Sequence, residues 1–168
     1  MTIAIDPVTA ADHALLRDLA GRIWRQHYTG MIPAAQIDFM LAERFRDDAL
    51  HETRAAADRW LELLRVEGEA VGYCGSMLVA AEPESLKLGQ LYLLDARRGQ
   101  GLGRRMLEHV EARARALGRR TVFLQVNKAN AGAIAFYTRR GFTVREAAVF
   151  EIGGGFVMDD YIMEKRLG

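Results

Sequence analysis

Arginine and glycine are concentrated in a short stretch, Arg97 to Gly103, that separates an apolar segment from an amphipathic one. Its glycines at 99, 101 and 103 have no Cβ, so a ligand can approach the main chain closely and a left-handed backbone is permitted. A helix that begins in such a loop presents unpaired N–H groups and the positive end of its dipole. Because the arginines add further positive charge, the stretch predicts a site for a phosphate-bearing ligand, in particular a pyrophosphate.

Two flanking elements must position this loop. Leu91 to Leu94 is a hydrophobic strand that leads into it, and the segment after it has apolar residues at spacings of three, four or five, which indicates a helix. Gly118 is the expected C-terminal stop of that helix. The predicted apolar stripe consists of Leu102, Met106, Leu107, Val110, Ala114 and Leu117.

The glycine spacing decides which nucleotide fits. A Walker loop is excluded because no Lys-Ser or Lys-Thr pair follows the glycines, and Arg104 stands where a Rossmann loop needs its third glycine. The stretch does match the pattern [QR]-x-x-G-x-[GA], as Arg98-Gly99-Gln100-Gly101-Leu102-Gly103. It resembles the acetyl-coenzyme A signature of the GNAT superfamily of N-acetyltransferases. Taken alone, these residues could also be a glycine-rich turn with solvated arginines.

A second motif, within Thr121 to Phe142, strengthens the resemblance. In the superfamily a strand is followed by an asparagine, a helix that carries a tyrosine, and a Gly-Phe pair. The corresponding residues here are Asn130, Ala133, Tyr137, Gly141 and Phe142. Because both motifs occur in the family's order and spacing, the chain is identified as a member of the GNAT superfamily.

The resemblance implies a fold and a cofactor. The fold is α/β, with a mixed central β-sheet of about six or seven strands, helices on both faces, and two splayed parallel strands that form the acetyl-CoA cleft. Residues 1–168 would form a single N-acetyltransferase domain. The cofactor contacts implied are Leu93, Leu94, Arg98, Gly99, Gln100, Gly101, Leu102, Gly103, Arg104, Asn130 and Tyr137. Arg97, Arg104 and Arg105 are alternatives for the 3′-phosphate of the cofactor.

The resemblance also implies catalytic roles. The Leu93 N–H would donate to the thioester carbonyl, a contact that strengthens as negative charge develops on the oxygen. Tyr137 would be the general acid that protonates the coenzyme A thiolate. Both motif side chains also have purely structural explanations, since Asn130 is an excellent helix N-cap and Tyr137 can be a core aromatic.

The general base and the substrate contacts are less well defined. An alkyl amine has a pKa of about 10.4, as lysine does, and must lose a proton before it attacks. Many relatives use a glutamate on the strand before the loop, but this chain has Gln90 there, which cannot act as a base. The base is therefore unassigned. Candidate substrate contacts are Tyr28, Tyr73, Gln90 and Asp160, although adjacent Asp159 and Asp160 should point to opposite faces of a strand.

Composition narrows the function classes. A net charge of +1 indicates no general attraction to nucleic acid or to an anionic membrane. The first residues lack the features of a signal peptide, and no apolar run reaches the about 18 residues of a membrane span. The single cysteine, Cys74, cannot form an internal disulfide and favours a reducing, cytoplasmic location. The four histidines show no metal-ligand spacing, so no metal is expected.

The remaining sequence predicts the element order β-α-α-β-β-β-α-β-α-β-β, a mixed α/β architecture. Thr9 and Asp12 form a capping-box pattern that opens the first helix. The inner face of that helix is predicted to be Leu15, Leu16, Leu19 and Ile23. Pro33 suits the first turn of a second helix, and Asp47 to Asp58 is predicted to be a further helical turn or an ordered loop.

These observations predict an acetyl-CoA-dependent N-acetyltransferase that acts on a primary amine of a small molecule or peptide. Cys74 is expected to be a small buried hydrophobe, which favours direct transfer in a ternary complex over an acetyl-enzyme. One alternative is a non-catalytic acyl-CoA-binding or regulatory module, which the missing base would favour. Another is a protein N-acetylase. A homodimer is common in the family, and polyamines, amino acids, antibiotics and peptide N-termini all remain possible acceptors.

Overall fold

A computed structural model describes all 168 residues, Met1 to Gly168. The strands are β1 (Ile3–Pro7), β2 (Arg59–Val66), β3 (Glu69–Leu78), β4 (Ser85–Leu93), β5 (Thr121–Asn127), β6 (Thr143–Gly153) and β7 (Phe156–Arg166). The helices are α1 (His13–Tyr28), α2 (Ala34–Phe45), α3 (Asp47–Ala55), α4 (Leu102–Ala116) and α5 (Ala131–Arg139). Short 3-10 turns at Ala10–Asp12 and Asp95–Arg97 precede α1 and the glycine loop.

The seven strands form one sheet in the order β1-β2-β3-β4-β5-β7-β6. Only β4 and β5 run parallel to each other, and every other neighbouring pair is antiparallel. The last strand, β7, lies between β5 and β6, so the sheet is not completed in chain order. The mixed seven-stranded sheet confirms the fold class that the sequence predicted.

Helices cover both faces of the sheet, as alternate residues of β3 show. On one face Tyr73 accepts a hydrogen bond of 2.7 Å from the indole of Trp24 in α1. On the other face Cys74 lies opposite Glu62 of β2, whose carboxylate binds the guanidinium of Arg113 in α4 at 2.6 Å. We call these the α1 face and the α4 face. Helix α2 belongs to the α1 face, because its Phe45 ring lies 5.8 Å from the Tyr73 ring.

The first helix follows its predicted start but not all of its predicted inner face. The Asp12 carboxylate accepts hydrogen bonds from the Thr9 N–H (2.8 Å) and hydroxyl (2.9 Å), which confirms the capping pattern. The prediction for Leu15 is wrong, since this residue is 43% exposed. The buried stripe is centred on Ala20 and Trp24, which places Leu15 at its edge.

Three further details differ from the sequence reading. Asp47–Ala55 is a full helix rather than a turn, with acidic residues in its first turn, where they favour the helix dipole, and a buried Leu50. Pro33 is the N-cap of α2 and not its first helical residue. At the end of α4, Leu117 lies beyond the last helical residue and is 39% exposed, whereas the rest of the predicted stripe is buried.

The parallel strands β4 and β5 separate halfway along their length. They pair from Ser85 opposite Thr121 to Leu88 opposite Leu124, and no pairing continues beyond this point. Gly89 is the extra residue of a β-bulge against β3, where the register shifts between Leu88 and Gln90. Because a bulge bends the strand that contains it, β4 diverges from β5 and leaves a gap at the carboxyl ends of both strands.

Candidate active site

Two cavities meet at the gap between β4 and β5. One, of about 370 Å³, lies mainly on the α4 face, and the other, of about 450 Å³, lies on the α1 face. Along β5, Leu124 and Val126 line the first cavity, Asn127 lines the second, and Gln125 lines both. The residues common to both cavities are Tyr28, Leu88, Gly89, Gln90, Tyr92 and Gln125. The gap is therefore a passage through the sheet.

The N-terminus of α4 forms one wall of the α4-face cavity. Gly99 (φ +80°) and Gly101 (φ +75°) have left-handed backbone conformations, and Gly101 is the N-cap without any side-chain cap. The first helical hydrogen bond runs from the Arg105 N–H to the Gly101 carbonyl, so the three preceding N–H groups have no backbone partner. A Cβ at Gly103 would lie 3.4 Å from the Phe136 ring, which shows how closely α4 approaches α5. The arrangement is an anion cradle.

Arginines surround this cradle, but they are not all those that the motif suggested. The arginines that line the cavity are Arg98, Arg104, Arg139 and Arg140. Arg97 instead pairs with Glu69 at 3.2 Å, and neither Arg97 nor Arg105 lines the cavity. Arg140 lies over the Phe136 ring at 4.7 Å, and its Nε is buried without a partner. In the sequence, the Arg139-Arg140 pair just before Gly141-Phe142 could have indicated that the end of α5 adds positive charge to this cavity.

At the end of β4, one main-chain N–H group, that of Leu93, has no hydrogen-bond partner in the neighbouring strand. The Leu94 N–H donates to the Val71 carbonyl at 2.9 Å, and the Leu94 carbonyl accepts from the Arg97 N–H at 2.9 Å. Since N–H groups alternate along a strand, that of Leu93 points away from β3 and into the gap. Leu94 is buried and does not line the cavity. The structure therefore does not support Leu94 as a cofactor contact, because both of its main-chain groups are used by the fold.

Gln100 also lies outside the cavity lining and is exposed, whereas Gly99, Gly101, Leu102 and Gly103 line it. The Gln100 side chain thus lies away from the predicted phosphate site, and a contact through its N–H group, as the resemblance implies for this loop, stays a prediction. Its position between two left-handed glycines places it on the outer side of the loop.

Tyr137 lines the α4-face cavity from α5. It is 8% exposed, and its hydroxyl has no hydrogen-bond partner within the protein. Its ring packs edge-on against those of Phe136 (5.3 Å) and Phe142 (5.4 Å), so it is also a core aromatic. Burial, together with the nearby Tyr92, raises the pKa of this phenol above its usual value. The hydroxyl therefore stays protonated at neutral pH and can donate a proton into the cavity.

Asn130 caps α5 and also contacts a histidine from α1. Its Oδ1 accepts from the Ala133 N–H at 3.2 Å, and its Nδ2 lies 2.8 Å from His27 Nε2. The other ring nitrogen of His27 lies 3.1 Å from the Arg98 guanidinium. Burial and the charge of Arg98 lower the pKa of His27, which favours the neutral ring. His27 thus joins the two cofactor motifs, and its separation of 103 residues from Asn130 hid this link from any spacing pattern.

The α1-face cavity is lined by side chains of both charges. Its charged residues are Arg44, Glu52, Arg59, Lys87 and Asp160. Asp160 is only 4% exposed and its Oδ1 is buried with no partner, whereas the adjacent Asp159 pairs with Lys128 at 2.9 Å. Burial and the charge of Asp159 raise the pKa of Asp160 to about 6. The charges of Arg44, Lys87 and Lys128 oppose this shift without cancelling it, so the cavity contains a carboxylate that the fold neutralises only in part.

Of the four predicted substrate contacts, Tyr28, Gln90 and Asp160 line the α1-face cavity, and Tyr73 does not. The prediction for Tyr73 is wrong because this residue is completely buried, and its hydroxyl accepts the hydrogen bond from Trp24. The Tyr28 hydroxyl lies 2.9 Å from that of Tyr92 at the passage. Gln90 Oε1 is buried there without a partner.

Comparison with known proteins agrees with this geometry. Residues 21–142 match the model of the acetyltransferase (GNAT) family. The chain belongs to the GNAT family. It is 33% identical over 103 residues to an uncharacterized N-acetyltransferase of Mycobacterium tuberculosis, and the match covers 61% of this chain and 64% of that relative. The chain thus spans less than two thirds of the length of this relative.

Two further similarities of this GNAT protein are to a phage enzyme and to a solved structure. It is 37% identical over 102 residues to the 5-NmdU N-acetyltransferase of Pseudomonas phage PaMx11, covering 60% of this chain and 69% of that protein. Its fold is similar to that of the PaiA N-acetyltransferase of Thermoplasma acidophilum, solved in complex with coenzyme A (TM-score 0.82, 22% identity, 99% and 100% of the two chains). The structural similarity supports the fold of the GNAT domain over its whole length.

Other potential reactive groups of this GNAT protein lie away from the passage. Cys74 is completely buried, and burial, with the charge of Glu62, raises its pKa to about 12, so the thiol is not nucleophilic at neutral pH. No group of three or more His, Cys, Asp or Glu side chains is arranged to hold a metal ion. None of the helices is both long enough and apolar enough to cross a membrane.

Proposed function

We propose that this protein is an acetyl-CoA-dependent N-acetyltransferase that transfers the acetyl group directly to a primary amine of a small molecule or peptide. The observation that carries the proposal is the meeting of two cavities, one on each face of the sheet, at the gap between β4 and β5. Such a passage lets two substrates approach each other from opposite sides. Direct transfer in a ternary complex requires both substrates to be held next to each other, and this arrangement allows it.

The α4-face cavity has the features that acetyl-CoA needs. The unpaired N–H groups at the start of α4 and the surrounding arginines fit a pyrophosphate. Arg104, Arg139 and Arg140 are the candidates for the 3′-phosphate, since each lines the cavity. The free N–H of Leu93 fits a thioester carbonyl at the gap, and Asn130 fits the pantetheine arm. When bound, acetyl-CoA would supply an acetyl group activated as a thioester.

The chemistry requires one proton to leave the amine and one to reach sulfur. No side chain is assigned as the base, so the amine loses its proton to solvent through the α1-face cavity. Its nitrogen then forms a bond to the acetyl carbon, the carbon–sulfur bond breaks, and the thiolate must be protonated. Tyr137 supplies the second proton in this proposal, because it lines the cavity and its hydroxyl has no partner within the protein. Gln90, whose Oε1 is unpartnered at the passage, orients the amine by accepting a hydrogen bond.

Direct transfer is favoured over an acetyl-enzyme because Cys74 is buried outside both cavities and its pKa is raised. We further propose a cytoplasmic location, in keeping with a single unpaired cysteine. A homodimer stays a prediction, which sedimentation of the purified protein tests.

Thiol release from acetyl-CoA, measured across polyamines, amino acids, aminoglycosides and short peptides, tests the proposed function. Thermal shift with acetyl-CoA is followed in parallel. Turnover with at least one amine class, together with a thermal shift, is the expected result. A shift without turnover would favour a binding module. The absence of any shift would overturn the assignment of the α4-face cavity.

A further inference from the structure

The charges that line the α1-face cavity are arranged for a ligand that carries both signs. Asp160 of β7 is 4% exposed, its Oδ1 has no partner, and it forms no ion pair. Lys87 of β4 is half-buried on the same face of the sheet, and its ammonium only donates to Gln125 Oε1 at 2.7 Å. Both side chains thus lie in the cavity without a charged partner in contact.

Two further cations line this cavity, and one of them, Arg59, has an anion nearby in Asp58 at 4.0 Å. The other, Arg44, does not. The guanidinium of Arg44, on α2, lies 5.3 Å from the centre of the Trp24 ring and forms no ion pair. By contrast Arg46, two residues further along, pairs with Glu43 at 2.9 Å on the exposed side. Burial and the nearby charge of Arg44 lower the pKa of Lys87. The two cations therefore face the same space, and each raises the free energy of the other.

Such a set is costly to the free protein. Asp160 is a buried carboxylate with an unpartnered oxygen, and half-buried Lys87 has no ion pair, so both lose solvation that the fold replaces only in part. Arg44 is exposed and keeps much of its solvation, but its charge disfavours that of Lys87. A ligand that brings an ammonium to Asp160 and an anion to the two cations would recover this free energy. A monovalent amine would satisfy only the carboxylate and would leave Arg44 and Lys87 in mutual repulsion.

We propose that the acceptor is an amine that also carries an anionic oxyacid group, with its ammonium at Asp160 and its anion at Arg44 and Lys87. This inference rests on the proposed acetyltransferase function and names its substrate class. Of the 23 residues that line the cavity, 11 are hydrophobic, which leaves room for a hydrophobic side group on the same molecule. The apolar residues concerned are Met40, Trp60, Met77, Phe150, Ile152 and Met158.

The proposal separates the acceptor classes that the sequence left open. Polyamines have no anion for the two cations, and a peptide N-terminus has no carboxylate next to its amine. Amino acids and aminophosphonates have both charges in one small molecule. The cavity, at about 450 Å³, is large enough for a compound of this size.

Matched acceptors test the inference. L-phenylalanine is compared with 2-phenylethylamine, and β-alanine and 2-aminoethylphosphonate are each compared with ethylamine, because each pair differs only in the anionic group. Initial rates of thiol release give kcat/KM. Calorimetry with the coenzyme A-saturated protein gives the affinity without turnover. The acid-bearing member of at least one pair should have a kcat/KM and an affinity about 10- to 100-fold higher, as expected for a charge-assisted contact. Comparing the kcat/KM and affinity of β-alanine with those of 2-aminoethylphosphonate then shows whether the site prefers a carboxylate or a phosphonate.

Variants locate the effect. Lys87→Met and Arg44→Gln should each reduce this preference by about tenfold or more, through a higher KM for the acid-bearing amine and little change for its partner. Arg46→Gln, which removes an exposed cation at the end of the same helix, is the matched control and should keep the preference. Asp160→Asn should weaken both members of a pair alike, because both present an ammonium. Thermal unfolding checks that each variant is folded, and Arg44 is exposed enough for its variant to fold if that of Lys87 does not.

The outcomes are distinguishable. Equal kcat/KM and equal affinity within every pair, with turnover of simple amines, would overturn the inference and leave the acetyltransferase function standing. The inference would also be overturned if both Lys87→Met and Arg44→Gln kept the preference for the acid-bearing amine. If no amine is turned over, calorimetry with the matched pairs decides the inference. A protein that binds neither acetyl-CoA nor any of the acceptors would overturn the proposed function, and the inference with it.

Discussion

The two cavities on either side of the passage are built in different ways. The α4-face cavity depends on main-chain groups: the free edge of β4, the left-handed glycines and the first turn of α4. The α1-face cavity depends on side chains from α2, α3 and several strands, with their charges largely unpaired. Main-chain chemistry is tied to a local sequence, so a motif can report it. A side-chain constellation exists only after the chain has folded.

Two buried carboxylates, one on each face of the sheet, differ in whether the fold supplies charged partners for them. Glu62, on the α4 face, accepts hydrogen bonds from Arg113 at 2.6 and 2.9 Å and lies 2.7 Å from His109. Burial would raise its pKa, but these hydrogen bonds and charges outweigh burial and lower the pKa to about 2. Asp160, on the α1 face, has no such partners, and its pKa is raised to about 6. Neighbouring cations in contact neutralise Glu62, whereas Asp160 has no ion pair.

Replacing the satisfied carboxylate should have the largest effect. Glu62→Gln leaves Arg113 without its partner and should lower the free energy of unfolding at pH 7 by about 3 kcal/mol, measured by urea denaturation. The pKa of Glu62 is lower in the folded state, so its contribution is fully present above about pH 4.5 and is lost as the pH falls through about 2. Glu43→Gln, in an exposed pair, is the control and should change little. An equal loss in both variants would remove the distinction between the two carboxylates.

Removing the acid at the passage should affect catalysis without affecting cofactor binding. Tyr137→Phe should lower kcat by roughly 10²-fold, with the affinity for acetyl-CoA little changed, because only the proton donor is lost. Thiol-release kinetics and calorimetry give the two quantities. Tyr161→Phe is the matched control, since Tyr161 lies next to Lys128 and lines neither cavity. An unchanged kcat, when chemistry limits the rate, would exclude Tyr137 from the mechanism.

Replacing the unsatisfied carboxylate should stabilise the protein. Asp160→Asn should raise the free energy of unfolding at pH 8 by about 1–3 kcal/mol, since a raised pKa means that ionisation in the folded state is unfavourable. The cost is present above about pH 6 and disappears as the pH falls towards 3.8, so the gain should vanish near pH 4. Denaturation at both pH values measures it, with Asp38→Asn, from an exposed pair, as control. A loss of stability at pH 8 would show that Asp160 is paired after all.

The smallest effect should come from the glycine loop. Gly101→Ala forces a Cβ onto a backbone with φ +75° and should weaken acetyl-CoA binding about tenfold, because the loop must shift to relieve about 1–2 kcal/mol of strain. Gly118→Ala has the same left-handed strain (φ +69°) and equally open surroundings at the other end of α4. Gly118→Ala should lower the melting temperature by as much as Gly101→Ala does, but it should leave acetyl-CoA binding unchanged. If both variants bind alike, the cradle at the N-terminus of α4 is not the phosphate site.

Much of the α4-face cavity could be predicted because its determinants are local. The glycine loop, the helix after it and the Asn130 N-cap each follow from neighbouring residues and their backbone preferences. For this cavity, the prediction that failed is the cofactor contact of Leu94. Its apolar side chain suits the strand end, but the hydrogen bond from its N–H to Val71 depends on the register with β3, which no local pattern reveals.

The lining of the α1-face cavity could not be predicted from local sequence patterns, because its residues come together only through long-range packing. Tyr73 and Tyr92 are similar in sequence terms, yet one is sealed in the core by Trp24 and the other lines both cavities. Asp160 could be named as one of an adjacent acidic pair, but strand alternation alone left open which of the two faces the site. Arg44 carried no sequence signal, since an arginine near the end of a helix is ordinarily solvated.

The position of β7 between β5 and β6 has a consequence for the chain during its synthesis. Both cofactor motifs are complete once Phe142 has been made, whereas Asp160 arrives with the last strand and reaches its place only when that strand inserts beside β5. A nascent chain thus contains both GNAT motifs before it contains Asp160, the buried carboxylate of the α1-face cavity. Truncation within β7 before Asp160 would leave a chain with both motifs and without this carboxylate.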